Sequence, residues 1–450
     1  MKKFFFFFLF FASFFLFFLI ENDNIKKNLR PYYHKSTLFF NNLISEKIKV
    51  LFYITNGSVD YRTSLNDYNS SFLPNTELIQ LKHKSININL EKSTNLFDYL
   101  GNNYNGPTVR PSGFNYFLIN QFNDKNILLT FRDNSFYVLN LELLNSKNNI
   151  ELRDALKLNS NLKSNKILDA LIHKDKLYVS YSHFEESINC SVLRISVSNI
   201  SKNTKDLKFE DYMSFNECAE QIWAGRLQYI LFDNYNGLIV TTSDTVGNLP
   251  TFNSQKKNSI FGKVLYIDEN TRKSRVFSMG HRNAQGLLVN NDKKFILSTE
   301  HGPRGGDEIN LILEDKNYGW PIYSYGKPYL IPPVKNLRYE QEPPKNKKEE
   351  FEQPIFAFVP SIGISEIIEI PNNFNPEWQD NFFISSLSGE ALYRIKFDTD
   401  KKKTLFYEKI FIGQRIRDLI YSKELNSFYL SLEDYKTGKS KILIISNLNK

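Results

Sequence analysis

Cysteine, methionine, tryptophan and histidine are scarce in this chain of 450 residues, which contains two, three, three and six of them, respectively. With no Cys-X-X-Cys pair and no histidine pair near either cysteine, the sequence gives no indication of a zinc site. Cys190 and Cys218 could form one disulfide in an oxidising compartment. Two buried thiols are the alternative, and the sequence leaves both open.

A block of basic residues is also missing. The net charge of +8 comes from 57 basic and 49 acidic residues that are spread along the chain, and only short runs such as Lys401–Lys403 concentrate positive charge. Because nucleic-acid-binding proteins usually carry a basic patch or stripe, no nucleic-acid partner is expected. No stretch shows helical periodicity over several turns, which argues against an α-helical fold.

A long hydrophobic run lies at the N-terminus. Lys2 and Lys3 precede an uninterrupted apolar stretch from Phe4 to Ile20, which is typical of an export signal. No clear small-residue cleavage site follows, and the run reaches the lower length limit of a membrane-spanning helix. Residues 1–20 are therefore predicted to be a signal peptide or a membrane anchor. Either would place the bulk of the chain in the periplasm or outside the cell.

Six short segments share three apolar residues followed by Ser or Thr, and each comes after a polar turn. They are NILLT at Asn126, KLYVS at Lys176, GLIVT at Gly237, KFILS at Lys294, NFFIS at Asn381 and SFYLS at Ser427. Most of the turns are preceded by another apolar run. Each unit is therefore predicted to be a β-hairpin.

The spacing of the hairpins predicts the architecture. Copies recur about every sixty residues, which fits four strands per repeat in a radial all-β fold. We predict an all-β, six-bladed β-propeller over residues 111–450, with a large β-sandwich as the alternative. Residues 21–110 are Asn- and Lys-rich, show few repeat features, and are interpreted as an extension that could wrap the propeller or complete a blade.

Hairpin geometry brings polar residues to one end of each repeat, because the chain enters and leaves a hairpin at the same end. Polar residues occupy both kinds of position: Asp133, His183, Asp244, His301, Ser388 and Asp434 after the second strands, and Asp169, Arg226, Gln285, Glu366 and Arg417 at the start of the first strands. Equivalent ends of propeller blades converge around the axis. A binding hollow is therefore expected there, although any single residue could belong to an ordinary polar loop.

Three ordered motifs give the sequence a family resemblance. GHRNAQGLLV begins at Gly280, STEHGPRGGDEINLI at Ser298 and NYGWPIYSYG at Asn317. Together they resemble the soluble glucose/sorbosone dehydrogenase family, aldose dehydrogenases that depend on pyrroloquinoline quinone (PQQ). The resemblance implies a six-bladed propeller, in agreement with the repeat. It also implies oxidation of a sugar hydroxyl to a lactone by hydride transfer to PQQ beside Ca²⁺, with an external electron acceptor.

The implied ligands have partners in the sequence. PQQ is a planar tricarboxylate, and guanidinium groups bind carboxylates in a bidentate manner. Arg415 and Arg417 are two residues apart and so share one strand face, while Arg226 has the corresponding place in another repeat. These three are the predicted cofactor contacts. Calcium prefers carboxylate and carbonyl oxygens. The predicted metal ligands are the carboxylates of the glycine-rich motif, Glu300, Asp307 and Glu308.

The proton acceptor of the family is missing. Oxidation of a hydroxyl requires a base near its proton, and the resemblance implies a histidine a few residues before the arginine of a Gly-Arg pair. The corresponding run, Cys218 to Leu227, contains no histidine. A lysine carried by some members is also absent, and Ser388 stands near its place. The candidates for the base are Glu220, His183 and His301.

These departures leave three functions open. The first is an exported PQQ-dependent sugar dehydrogenase that oxidises an aldose or a similar polyol. The second is a propeller that binds a ligand but has lost the catalytic step, which the missing histidine suggests. The third is a calcium-dependent, lactonase-like hydrolase, which needs no quinone and could use Glu300 or Asp244 as a ligand.

Overall fold

The predicted hairpins are present as the first two strands of successive antiparallel sheets. The computed structural model describes strand Leu81–Asn89 and residues 117–146, 149–246, 249–250, 252–303, 305–326, 351–398, 402–433 and 440–447. All of them belong to the unit that comprises 73–99 and 112–450. Its described strands form six sheets of four or five strands, here called blades 1 to 6, and one two-stranded ribbon.

Each blade is built from four main strands, which follow chain order in blades 1 to 5. Blade 1 contains β2 (Phe117–Asn123), β3 (Asn126–Phe131), β4 (Phe136–Asn140) and β6 (Leu156–Ser160). Blade 2 contains β7 (Lys166–His173), β8 (Lys176–Glu185), β9 (Cys190–Asn199) and β11 (Glu210–Ala219). Blade 3 contains β12 (Ala224–Phe232), β13 (Tyr235–Thr242), β16 (Lys263–Asp268) and β17 (Ser274–Met279).

The second half of the unit repeats this plan. Blade 4 contains β18 (Ala284–Asn290), β19 (Phe295–Glu300), β20 (Asp307–Leu311) and β21 (Phe356–Phe358). Blade 5 contains β22 (Ile364–Glu369), β23 (Asn381–Ser386), β24 (Ala391–Asp398) and β25 (Lys403–Phe411). Blade 6 contains β26 (Arg415–Ser422), β27 (Ser427–Glu433), β28 (Ser440–Asn447) and β1 (Leu81–Asn89).

Shorter elements complete the unit. Strand β5 (Asn149–Glu151) pairs in parallel with β1, and β10 (Asp206–Leu207) pairs in parallel with β6. Strands β14 (Thr245–Val246) and β15 (Leu249–Pro250) form the ribbon. The described helices are short: α1 (Leu141–Ser146) and the 3₁₀ turns Leu152–Asp154, Asn253–Gln255 and Pro376–Trp378. No helix of the described residues is long and apolar enough to cross a bilayer.

The first strands of the six blades form a closed ring. In the order β2, β7, β12, β18, β22 and β26, each first strand lies beside the next, and β26 lies beside β2. This ring confirms the predicted six-bladed β-propeller. The face at which the first strands begin and the second strands end is called the entry face below.

The repeat in the sequence is explained by the second strand of each blade. This strand is covered on both faces by neighbouring blades, so its apolar residues run consecutively instead of alternating. The closing hydroxyl residues are all fully buried: Thr130, Ser180, Thr241, Ser298, Ser385 and Ser431. Several of them connect blades: Ser180 donates to the Gly225 carbonyl of blade 3 (2.5 Å), and Ser431 donates to the Phe117 carbonyl of blade 1 (2.7 Å).

Blade 6 combines two distant parts of the chain. Strand β1 pairs antiparallel with β28 from Leu81↔Asn447 to Ile88↔Ser440. This strand lies N-terminal to residue 111, where the propeller was predicted to begin. The rest of the predicted extension 21–110 and the predicted signal or anchor, residues 1–20, lie outside the described residues.

The two cysteines form a disulfide, which the sequence had left undecided. Cys190 begins β9 and Cys218 lies near the end of β11, with 5.8 Å between their Cα atoms. The bond therefore fixes the two outer strands of blade 2 to each other at the entry face. It also anchors the start of the segment that leads to β12.

Replacement of both Cys190 and Cys218 by alanine is expected to lower the free energy of unfolding by about 3 kcal/mol, because the unfolded chain regains the freedom of a closed loop. Urea denaturation monitored by circular dichroism would measure the change. Reduction of the wild-type protein should give the same shift. Equal stability of the variant and the oxidised wild type would contradict the prediction.

Candidate functional site

Arg226 lies on the propeller axis. A β-bulge interrupts the pairing of β12 with β13 between Ala224 and Leu227, and bulges redirect side chains. The Nη1 atom of Arg226 lies 2.9 Å from Asp169, 3.1 Å from Glu366 and 3.5 Å from Asp418, which come from three other blades. All four side chains are buried. We call this group the axial cluster.

The axial cluster belongs to a belt of hydrogen bonds that joins every pair of neighbouring first strands. Each contact uses a side chain of one strand and a backbone group of the next: Ile119 N to Asp418 (2.9 Å), Asn120 to Ala170 O (2.9 Å), Leu227 N to Asp169 (2.7 Å), Arg226 Nε to Gln285 O (2.6 Å), Leu287 N to Glu366 (3.3 Å) and Ser365 to Ile416 O (2.7 Å). The belt closes the ring with polar contacts at the axis.

The charges of the axial cluster are unequal, since three carboxyl groups surround one guanidinium. Burial, opposed by Arg226 and reinforced by Asp418, raises the pKa of Asp169 to about 6. Burial and the neighbouring carboxylates likewise outweigh Arg226 and raise the pKa of Glu366 to about 8, and burial raises the pKa of Asp418. The cluster therefore retains protons at neutral pH, which limits its excess negative charge.

The axial cluster changes the interpretation of Arg226. It was predicted to hold a cofactor carboxylate, but its guanidinium already contacts three carboxyl groups and the Gln285 carbonyl. A buried arginine with these partners holds the blades together. The geometry therefore gives Arg226 a structural role and does not support it as a cofactor contact.

Arg415 and Arg417 do lie together at the entry face. Their Nε atoms bind the two oxygens of one carboxylate, Glu433 of β27, at 2.9 and 2.6 Å. Although burial acts in the opposite direction, the two guanidinium groups lower the pKa of Glu433. The carboxylate of Glu433 thus holds both guanidinium groups side by side at the entry face. The arginine side chains remain partly exposed, by 12% and 16%, respectively.

The glycine-rich motif forms the connection between β19 and β20. Both oxygens of Asp307 are occupied: Oδ1 accepts from the Gly302 amide at 3.0 Å, and Oδ2 accepts from the amides of Ile362 (3.0 Å) and Ile364 (2.9 Å). Gly306 has φ of 68°, and a Cβ there would lie 2.4 Å from the Gly326 nitrogen. Asp307 therefore fixes this loop to blade 5, which does not support its predicted role as a metal ligand.

Glu300 is hydrogen-bonded to the GHRN segment that precedes β18, the first strand of blade 4. Its Oε2 lies 3.0 Å from His281 Nδ1, and its Oε1 accepts a hydrogen bond from the Arg282 amide. His281 is fully buried, bonds to Ser278 through Nε2 at 2.8 Å, and stacks on Tyr318. These contacts give His281 a structural role.

Glu300 and Glu308 lie directly opposite each other on neighbouring strands. Both line a cavity of about the size of one water molecule, together with Arg282, His301 and Trp320. Burial and the charge of Glu300 raise the pKa of Glu308 to about 8. Like charges at opposite positions destabilise a sheet, so a proton or a bound cation between them would stabilise the pair.

His301 also contributes to this cavity. Its Nε2 is buried and has no hydrogen-bond partner among the described residues. Burial lowers the pKa of His301 against the attraction of Asp307, and Arg282 and Arg417 lower it further. The neutral imidazole is therefore favoured, but it lies in a space too small for a sugar.

The other predicted bases lie apart from the cavity. Glu220 is exposed in the segment between β11 and β12. His183 is half-buried on β8, paired opposite Val192, with its ring against Tyr181. Asp244, a further ligand candidate, is buried and accepts hydrogen bonds from the amides of Asn253 (3.3 Å) and Ser254 (3.0 Å). The structure thus brings His301 together with Glu300 and Glu308 and leaves Glu220, His183 and Asp244 outside this cavity.

Sequence reasoning missed three cations at the entry face. Arg282 donates to the His301 carbonyl at 2.9 Å and lies over the Trp320 ring. Arg132 follows β3, and Lys166 begins β7. The sequence could have indicated Arg282 as an entry-face residue, because it lies in the GHRN motif just before a first strand. Arg132 and Lys166 lie outside the recognised motifs, so no sequence signal pointed to them.

Together the fold and the site define a six-bladed propeller with a polar axis and a cationic entry face. Residues 117–443 match the model of the Glucose / Sorbosone dehydrogenase family. Because the match covers more than half of the chain, the protein belongs to this family. Membership assigns it, at family level, to the PQQ-type sugar dehydrogenases, which are oxidoreductases.

Individual relatives are more distant. A segment of 157 residues is 32% identical to aldose sugar dehydrogenase YliI of Escherichia coli and covers 34% of this chain and 40% of that protein. The chain thus aligns with less than half of the length of the curated relatives it matches. Those matches leave the substrate of the whole protein open.

Solved structures show the same fold. A crystal structure of glucose dehydrogenase is 22% identical, with a TM-score of 0.61 over 74% of this chain and 96% of that chain. The PQQ-bound form of aldose sugar dehydrogenase from Streptomyces coelicolor is 16% identical, with a TM-score of 0.55 over 82% and 98%, respectively. At these identities the likeness establishes the fold alone.

Replacement of Arg226 by methionine is expected to destabilise the protein by about 3–5 kcal/mol at pH 8, because three buried carboxyl groups lose their counter-charge. The folded variant would hold protons more tightly than the unfolded chain does. Its free energy of unfolding should therefore fall as pH rises, and the loss relative to wild type should be smaller at pH 5. Urea denaturation at both pH values would measure the effect.

Arg275→Met is the matched control, since the ion pair of Arg275 with Glu314 is about half exposed. The control should change stability by less than about 1 kcal/mol. A loss for Arg226→Met that is equally small, or that does not depend on pH, would contradict the role of the axial cluster.

Proposed function

We propose that the protein is an exported, PQQ-dependent sugar dehydrogenase that oxidises an aldose, or a similar polyol, beside a calcium ion. Family membership supports the reaction class. The observation that carries the proposal is the pair Arg415 and Arg417, whose guanidinium groups lie together at the entry face on one carboxylate. Export is supported by the disulfide between Cys190 and Cys218, because such bonds persist in oxidising compartments.

The residues at the entry face fit a planar polycarboxylate. Arg415 and Arg417 are held in place by Glu433 and can direct further N–H donors towards a ligand carboxylate. Bound PQQ would supply a two-electron acceptor for the hydride of the sugar. The protein would hold and orient this group. The axial cluster would keep in place the blades from which the arginines project.

The calcium proposal rests on Glu300 and Glu308. No group of three or more His, Cys, Asp or Glu side chains in the described part of the chain could hold a metal. A cation between these two residues would therefore need backbone carbonyls or water as further ligands, which calcium accepts. The raised pKa of Glu308 fits such a site, since it shows that a positive partner would stabilise the carboxylate.

Calcium binding at this site predicts a pH-dependent stabilisation. Because Glu308 must lose its proton to bind the ion, affinity should increase as pH rises from 6 to 8. Calcium at about 100 times its Kd should add about 2.7 kcal/mol of stability, measured as a rise in Tm. Glu308→Gln should abolish the rise, and Glu314→Gln, at a partly exposed site, should retain it. An equal rise in the two variants would contradict the site.

The cofactor proposal predicts that PQQ binding depends on the arginine pair. Arg415→Ala/Arg417→Ala should weaken PQQ binding by at least about 30-fold, because its carboxylates lose two charged partners. Titration of intrinsic fluorescence with PQQ would measure Kd, and Arg275→Ala should bind as wild type does. Unchanged affinity in the double variant, with an intact fold by circular dichroism, would remove these residues from the site.

Reconstitution with PQQ and Ca²⁺ tests the reaction. Dye reduction with a panel of aldoses would support the dehydrogenase. The absence of a histidine in the segment before β12 favours a ligand-binding propeller as the second candidate, and tight PQQ binding without turnover would support it. Lactone hydrolysis without PQQ binding would instead support a hydrolase.

A further inference from the structure

Lys166 occupies a distinct position at the entry face. It is the first residue of β7, the first strand of blade 2, and its backbone pairs with Ser182 of β8. Its side chain lies deep in the molecule but is not fully covered. This position places Lys166 at the entry face.

The ammonium position is defined by the segment that lacks a histidine. Lys166 Nζ lies 3.6 Å from the centroid of the Trp223 ring and 3.4 Å from the Ile222 carbonyl oxygen. Both residues belong to the connection between β11 and β12, which begins beside the disulfide. The buried Nε1 donor of Trp223 has no hydrogen-bond partner among the described residues. A ligand oxygen beside Lys166 could accept this hydrogen bond.

The surroundings of Lys166 favour the neutral amine. Burial lowers the pKa of Lys166 well below its usual range, and the positive charges of Arg132 and Arg417 lower it further. These guanidinium groups come from blades 1 and 6: Arg132 follows β3, and Arg417 lies on β26. The Trp223 ring attracts the ammonium form and acts in the opposite direction.

We propose that Lys166 is the residue that accepts the hydroxyl proton of the sugar, a role that rests on the proposed dehydrogenase function. The O–H proton passes to the lone pair of Nζ, which becomes an ammonium. The C–H hydrogen leaves with its electron pair as hydride, the carbon is oxidised to a carbonyl, and the quinone acceptor is reduced. The ammonium then releases its proton to water.

The other titratable candidates are less suitable. His301 lies in the water-sized cavity with Glu300 and Glu308, and Glu220 is exposed to solvent. His183 lies on β8 next to Ser182, and its ring lies against Tyr181. Lys166 combines proximity to Arg417, partial exposure and a stabilised neutral form.

The ionisation of Lys166 can be measured without turnover. Brief acylation of the apoprotein over pH 6–11, followed by mass spectrometry of the peptides, reports the fraction of neutral amine at each lysine. Lys166 should react with a midpoint at least one pH unit below that of Lys157, an exposed lysine that also lies over an aromatic ring. A midpoint equal to or above that of Lys157 would overturn the proposal whatever the activity of the protein.

Two substitutions separate proton transfer from charge. Lys166→Arg introduces a permanent positive charge and cannot accept a proton, and Lys166→Gln is neutral and cannot accept a proton either. Each should lower kcat at pH 7.5 by about 100-fold or more, the usual contribution of a general base. Lys166→Arg should keep the PQQ affinity of wild type within a few fold. Lys157→Met is the matched control and should turn over as wild type does.

Chemical rescue supplies the decisive comparison. Small primary amines should restore turnover in Lys166→Gly, with rates that increase with amine basicity. Wild-type turnover that persists in Lys166→Arg would overturn the role of Lys166 while leaving the dehydrogenase proposal intact. A wild-type protein that binds PQQ but oxidises no aldose would overturn the function itself, and this inference with it.

Discussion

The contact between Arg226 and the three carboxyl groups around it is the constraint on which the rest of the molecule depends. A propeller buries its first strands against one another at the axis, where side chains from different blades converge. Here the convergence is polar, and one guanidinium joins Asp169, Glu366 and Asp418. Since a buried charge without partners is very costly, this cluster specifies how the blades are arranged about the axis. The hydrogen-bond belt then completes each interface.

This arrangement also separates structural charges from those available to a ligand. On β26 the Asp418 side chain turns into the axial cluster, while Arg415 and Arg417 turn towards Glu433. The bulge between Ile416 and Asp418 makes this division possible within four residues. The buried acidic cluster satisfies Arg226 within the fold. At the entry face lie further basic residues, including Lys166 and Arg132.

Much of the fold could be predicted because each second strand carries its own signal. A strand covered on both faces needs consecutive apolar residues, and the hydroxyl residue at its end is buried in all six blades, so this pattern recurs in every repeat. The site was less predictable. Arg226 stands at the same place in its hairpin as Arg417, and both strands have a bulge there, yet Arg226 turns into the axis and Arg417 turns towards Glu433. Asp307 resembles a metal ligand in a glycine-rich loop, but backbone amides that are about 55 residues away occupy it.

The sequence by itself determined the all-β class, the six repeats and the presence of arginines and carboxylates at the ends of the hairpins. Those properties follow from local periodicity, which depends on which residues must be buried within one strand. Only the tertiary structure decided how the charges pair, because partners such as Arg226 and Glu366 are far apart in the chain and meet only when the ring closes. For the same reason, the place of Lys166 beside Trp223 became visible only when blades 2 and 3 were packed together.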